Sequence, residues 1–212
     1  ETKQDEERIR ERCRIYRSAM EEHFGEGSIP LFASKSLSVK RIYEIMTEEG
    51  MGIDIVSSGE LYTALKAGFD LSKAYFHGNN KTDFDIKYGI ENGIGHFVVD
   101  NREELYAIDK EAENQGIRQR IMLRITPGID PHTFAEVATG KVDSKFGSAI
   151  ETGQAEEMVK IALSLENITL SGFHCHVGSQ VFDSDVFLRA ADVMLDFIAD
   201  IKEKFGFSPE KL

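Results

Sequence analysis

Ser171-Gly172-Phe173-His174-Cys175-His176-Val177-Gly178-Ser179-Gln180 is the stretch on which the reading of this chain turns. It follows a short apolar run, Ile168 to Leu170, that reads as the start of a strand. A strand puts alternate residues on one face. A strand through this stretch would therefore aim His174 and His176 to one side and Cys175 to the other. Gly178 and Ser179 come where the strand gives way to a loop, and such a loop offers backbone N–H groups and a hydroxyl to an anion. An imidazole beside an anion-binding turn suits a flat, phosphorylated ligand. The same residues also read as two core histidines followed by an ordinary turn, so the rest of the chain has to decide.

Outward from that stretch, strands and helices alternate. The spacing predicts a helix over residues 4–24, with Ile9, Cys13, Tyr16, Met20 and Phe24 on one apolar face and Gly25 and Gly27 stopping it. Pro30 to Ser34 reads as a strand that delivers Lys35. A helix from Ser38 to Glu49 turns Val39, Ile42, Ile45 and Met46 inward, and Ile53 to Val56 is the next strand. Ser57 and Glu60 form a capping-box pattern that opens a helix ending at Gly68. Ala74 to His77, His96 to Val99 and Ile121 to Thr126 are further strands. Helices are predicted up to Asn92, from Arg102 to Asn114 with Leu105, Ile108 and Ala112 inward, and over residues 154–165 and 184–205. Residues 127–150, with Lys145 and Phe146, read as one long irregular stretch; long loops in compact domains are usually functional or disordered, and an ordered rim of a site is favoured here.

Six strands separated by helices indicate βαβ units and a parallel sheet. Both the doubly wound sheet and the (β/α)8 barrel fit this alternation. No Gly-x-Gly-x-x-Gly follows the first strand, which removes support for a dinucleotide-binding domain. Polar residues gather where strands end: Lys35, Asp54 and Glu60, His77 and Asn79, Asp100, Arg124, then His176 and Ser179. In a barrel that is where the chemistry sits. A barrel of eight strands would need about two more βα units than the chain shows, so the expected fold is α/β, an incomplete TIM-type barrel.

Bulk properties narrow the classes. The chain has 212 residues, 41% apolar and 29% charged, as a soluble globular protein does. Its net charge of −12 argues against non-specific binding to nucleic acid or to an anionic membrane. No apolar run approaches the length of a membrane span, and no signal peptide is visible. The two cysteines, Cys13 and Cys175, read as reduced thiols of a cytoplasmic protein, with Cys175 on a buried strand. The six histidines show no metal-ligand spacing; His174, Cys175 and His176 make a weak zinc suggestion only.

Several of these pieces together resemble the fold-type III pyridoxal phosphate-dependent decarboxylases. Phe32-Ala33-Ser34-Lys35-Ser36 is similar to the cofactor-lysine motif, with Ser34 and Ser36 departing from the usual residues. Asp54 to Leu61 with Ala64 to Gly68, and Phe76 to Lys81, resemble segments around the cofactor. Leu123 to Asp130, His132-Thr133, Thr139-Gly140 and Asp143 to Gly147 are similar to the branch that acts on diaminopimelate, and Gly172 to Gln180 resembles the motif of the sixth strand. The resemblance implies a partial alanine-racemase-like barrel domain over residues 1–212, about six of eight units, without the C-terminal β-domain of the family.

What the resemblance implies for the site is specific. Lys35 would bond the cofactor aldehyde through an amine kept nucleophilic by a partly dry, electropositive pocket. His176 would stack on the pyridine ring, and Ser179 would hold the phosphate. Arg124 would sit near the phenolic oxygen, with a strand-end ion pair as its structural alternative. Asp54 would lie behind the lysine and ring. Glu60 is equally a capping residue, and His77 and Asn79 are candidate pocket residues or structural hydrogen-bonding groups. The implied reaction is decarboxylation of meso-2,6-diaminopimelate to L-lysine, the last step of lysine biosynthesis, in a homodimer. Alternatives are a decarboxylase of ornithine, arginine or carboxynorspermidine, or a non-enzymatic pyridoxal phosphate-binding barrel. A chain ending at residue 212 is expected to be inactive alone and to self-associate through two open sheet edges.

Overall fold

The computed structural model describes residues 2–129, 146–179 and 181–212, with side chains from residue 5 onward among them. His132, Thr133, Thr139, Gly140, Asp143 to Lys145 and Gln180 lie outside the described residues. The chain divides into two compact units: Glu1–His77 with Lys87–His96, and Gly78–Ile86 with Phe97–Leu212.

The first unit contains α1 (Thr2–Phe24), β1 (Leu31–Ala33), a 3-10 turn (Ser34–Ser36), α2 (Lys40–Glu48), β2 (Gly52–Ile55), α3 (Ser58–Lys66) and β3 (Ala74–Phe76). β1 pairs β2 in parallel with Leu31 opposite Gly52, and β2 pairs β3 in parallel with Ile53 opposite Ala74. Ile53, Ile55, Phe76, Tyr43, Met46 and Leu61 are fully buried between these strands and their helices. Parallel strands covered on both faces need such near-continuous apolar runs. Ser57 caps α3, its hydroxyl accepting from the Glu60 amide at 3.3 Å.

Two details of this unit differ from the helical spacing. Cys13 alone of the predicted α1 face is buried, while Tyr16 and Phe24 are exposed. Val39 is also exposed, because it stands just before α2 as its N-cap, and Tyr43 takes the inward place beside Ile42, Ile45 and Met46. α1 is held to α2 by charge more than by an apolar seam. Arg10 bonds Glu6, Glu48 and Glu49; Arg14 bonds Glu49; Arg41 bonds Glu6.

α4 (Asp83–Glu91) has residues in both units. The second unit then contains β4 (His96–Val99) from Phe97 onward, α5 (Arg102–Gln115), β5 (Gln119–Thr126), β6 (Ser148–Ala149), α6 (Gln154–Ser164), β7 (Ile168–His174) and α7 (Asp185–Phe205). β5 is the hub: it pairs in parallel with β4, β6 and β7. Leu105, Ile108 and Ala112 of α5 are buried as predicted. Phe173 packs edge-on against Phe197 and Phe207.

β6 corrects the reading of residues 127–150 as wholly irregular. Two residues are too short to show a period, yet Ser148 and Ala149 pair with Ile125 and Thr126. β7 corrects another: the strand ends at His174, so His176 is not on it, and strand alternation does not set the direction of its side chain. Cys175 accordingly lies past the strand, part-exposed rather than on a buried strand. The edge of β7 is also not bare. The amides of Glu210 and Lys211 donate to Ser171 O, and the Phe173 amide donates to Lys211 O. Gly172 permits this approach, since a Cβ there would stand 1.9 Å from the Lys211 carbonyl oxygen.

The α1–α2 ion network makes α1 sensitive to acid. Hydrogen bonds from Arg41 and Arg10 pull the Glu6 carboxyl from its usual 4.5 down to about 2. Arg10 lowers Glu48, and Arg14 lowers Glu49. A carboxyl lowered by folding stabilises above its unfolded pKa, and that contribution is lost as pH falls through the folded value. Native-state hydrogen exchange should therefore show α1 amides losing protection between about pH 4.5 and 2, before those of α5, and Glu49→Gln should move the onset to higher pH.

Candidate active site

In the first unit, Lys35 stands on the 3-10 turn that follows β1. It is exposed among the described residues, two positions after β1 ends at Ala33. The neighbouring Ser34 is fully buried, and its hydroxyl has no hydrogen-bond partner among the described residues. Asp54 faces Ala33 in the sheet register, and its carboxylate lies 3.0 Å from His77 Nε2. The His77 amide donates to Ile55 O at 2.8 Å, so this pair ties together the ends of β2 and β3. Glu60 accepts from the Val56 amide at 2.6 Å. Burial raises its carboxyl, while the Val56 N–H and the charge of Lys35 oppose that rise. Glu60 thus does what its capping reading requires, and it feels the Lys35 amine.

The second unit holds the other group. Arg124 points from β5 with its side chain 10% exposed. Its Nε is 3.9 Å from Asp100 Oδ1, and its guanidinium lies over the Phe146 ring at 4.3 Å. Among the described residues the guanidinium makes no hydrogen bond. Burial lowers its pKa and Asp100 opposes that. The ion pair that was its structural alternative is therefore real, but it leaves the donors unused. Asp100 Oδ1 also accepts from the Gly147 amide at 3.1 Å. Cys175 is close enough to sense Arg124: burial raises the thiol pKa and the guanidinium lowers it.

His176 follows β7 and is part-exposed, and Ser179 is exposed. Gly178 between them has φ 148°, a conformation that favours glycine. Asn79 is exposed in the loop after β3. Lys145 lies outside the described residues. Among the described residues no cluster of side chains could hold a metal, so the weak zinc suggestion gains no support.

Two residues were missed by sequence. Lys81 and Glu104 form a buried ion pair at 2.8 Å, with side chains 1% and 4% exposed. Lys81 Nζ also donates to Gly78 O and Val98 O, both at 2.9 Å. Three acceptors match the three protons of an ammonium group. Burial pushes the lysine down and the carboxyl up, and each partner's charge resists the other's shift. The available signal was the Asn101-x-x-Glu104 capping spacing, in which Asn101 Oδ1 accepts from the Glu104 amide at 2.9 Å.

Residues 6–212 match the family model described as the pyridoxal binding domain of pyridoxal-dependent decarboxylases. The chain belongs to the pyridoxal-dependent decarboxylases. Relatives include the diaminopimelate decarboxylase of Bacillus methanolicus, 41% identical over 96% of this chain and 47% of that protein, and that of Staphylococcus aureus, 39% identical over 92% and 46%. Solved structures agree. Diaminopimelate decarboxylase from M. jannaschii in complex with L-lysine superposes with a TM-score of 0.82 at 33% identity, over 94% of this chain and 48% of that one. A Helicobacter pylori variant with L-lysine gives 0.85 at 29%, over 94% and 50%. The fold class is therefore α/β, part of a pyridoxal-binding barrel, and the chain spans about half the length of the relatives it matches.

Pyridoxal phosphate is the cofactor of this family, and the donor set fits it. The cofactor presents an aldehyde, an aromatic ring, a phenolic oxygen and a phosphate. The decarboxylase chain offers an exposed amine on Lys35 and an imidazole and hydroxyl on His176 and Ser179. It also offers a guanidinium on Arg124 that is nine-tenths buried and lacks an acceptor among the described residues.

Gly147 bears directly on Arg124. Its φ is +71°, and a Cβ would stand 2.9 Å from Arg124 O and 3.1 Å from Arg124 Cγ. Gly147→Ala should lower stability by about 1–3 kcal/mol, the usual cost of a strained non-glycine backbone, read as an earlier urea midpoint.

Proposed function

We propose that the protein carrying this chain decarboxylates meso-2,6-diaminopimelate to L-lysine with pyridoxal phosphate, as the last step of lysine biosynthesis. The observation that carries this reading is Lys35, a lysine on the turn after the first strand of a chain about 40% identical to named diaminopimelate decarboxylases. The complexes of similar structures with L-lysine support the product.

Bound there, pyridoxal phosphate supplies the electron sink that accepts the pair left when the α-carboxylate departs as carbon dioxide. Lys35 would hold the cofactor through Nζ. Arg124 would set a fixed positive charge near the cofactor's phenolic oxygen, favouring its anionic form. His176 would stack on the ring, and Ser179 would donate to the phosphate. Asp54, fixed by His77, and Glu60 provide negative charge around the amine, with Glu60 also starting α3. Asn79 is assigned to the pocket margin.

The remaining length of the relatives is where we place the rest of the barrel, a C-terminal β-domain and the groups that select the substrate. We assign the whole protein to the cytoplasm as a homodimer. Among the described residues no helix is long and apolar enough to cross a membrane.

Reduction with borohydride in the presence of pyridoxal phosphate, followed by peptide mapping, should place the label on Lys35 and nowhere else. A label on another lysine, or none despite bound cofactor, would defeat the assignment. The isolated 212-residue chain should show no turnover and should scatter light as a dimer or larger; measurable decarboxylation by it would show that the site needs nothing more.

A further inference from the structure

The buried ion pair of the second unit is not used by the chemistry above, and stability does not explain it. Burying two ions is costly, and replacing such a pair by apolar side chains of similar volume is often neutral or stabilising. What Lys81 and Glu104 do have is a defined set of partners. Lys81 Nζ joins Gly78 O in the loop after β3 to Val98 O near the end of β4. Glu104 receives Lys81 on Oε1 at 2.8 Å and the Asp100 amide on Oε2 at 3.1 Å. Asp100 is buried, and its carboxylate meets both the Gly147 amide and Arg124 Nε. Phe146, next in chain to Gly147, covers the face of the guanidinium, and its carbonyl accepts from Thr126 Oγ1 at 2.9 Å.

We propose that Lys81 and Glu104 are positioning residues that act through Asp100 to fix the guanidinium of Arg124. The proposal rests on the reading of Arg124 as a cofactor residue for its purpose, but not for its geometry. Asp100 is the one carboxylate that Arg124 faces among the described residues, and its own backbone is held by Glu104. With Glu104 neutral or freed from Lys81, the group that accepts from the Asp100 amide loses its charge or its fixed position. The guanidinium then loses the charge that offsets its burial. A purely structural pair would give a different pattern: the unit would unfold more easily, while Arg124 in the folded state would stay where it is.

The test uses the whole protein carrying this chain, labelled with nitrogen-15 at arginine, and it needs no cofactor. In the unaltered protein the Arg124 Nε–H signal is expected to be shielded from water, since the side chain is 10% exposed. In Glu104→Gln, which keeps the side-chain shape, and in Lys81→Met, that signal should exchange with water at least ten-fold faster, with backbone amide spectra otherwise retained. Lys204→Ala, which breaks an exposed pair with Glu156, should leave it unchanged. An unaltered Arg124 signal in both folded variants would overturn the proposal, and failure of both variants to fold would assign the pair to folding instead. A failed borohydride label on Lys35 alongside a moved Arg124 signal would defeat the functional reading and leave this one standing.

Discussion

A parallel strand covered on both faces has no room for a polar side chain except at its ends. β2 and β4 obey this closely: Ile53, Ile55, Phe97, Val98 and Val99 are all at most 1% exposed. Of the candidate residues, Asp54 and Arg124 still lie within β2 and β5, and several others fall in the turns that follow. Lys35 comes two residues after β1, His77 directly after β3, Asp100 directly after β4 and His176 two residues after β7. The same covering that builds the core therefore sorts chemistry to one end of each strand. This is the physical content behind the clustering of reactive groups in such folds.

The loops that receive those groups are not left to chance. α3 and α5 begin in the same way. Ser57 or Asn101 caps the helix, and the acid three residues later returns to the backbone one residue before the cap, at Val56 or Asp100. In α3 that acid also lies within the field of Lys35, and in α5 it is buried against Lys81. One local device thus serves twice, once half-exposed beside a reactive amine and once fully enclosed. Its enclosed form is far less tolerant of change, because a buried charge without its partner is severely destabilising.

Legibility of the chain follows the range of the interactions involved. The six predicted strands and the long helices were readable because burial on both faces leaves apolar runs and caps in the local sequence. α1 was half readable: its period is helical, but its docking relies on arginines and glutamates spread over α2, so Tyr16 and Phe24 remain outside. β6 was invisible because two residues carry no period. The strand-end residues Lys35, Asp54 and Arg124 were found by position and by likeness to a family. Lys81 and Glu104 are 23 residues apart, and nothing local says that one neutralises the other.

The contrast between Lys35 and Lys81 also governs how the chain meets reactive small molecules. The free amine attacks aldehydes, anhydrides and active esters, which requires a deprotonated nitrogen open to solvent. Lys35 is open to solvent on its turn. Lys81 is buried inside the second unit, where it donates to Gly78, Val98 and Glu104. It becomes available only when that unit opens. A mass-spectrometric footprint with an amine reagent therefore contains its own clock: modification at Lys81 records each opening of the second unit, against a background set by lysines that are never concealed.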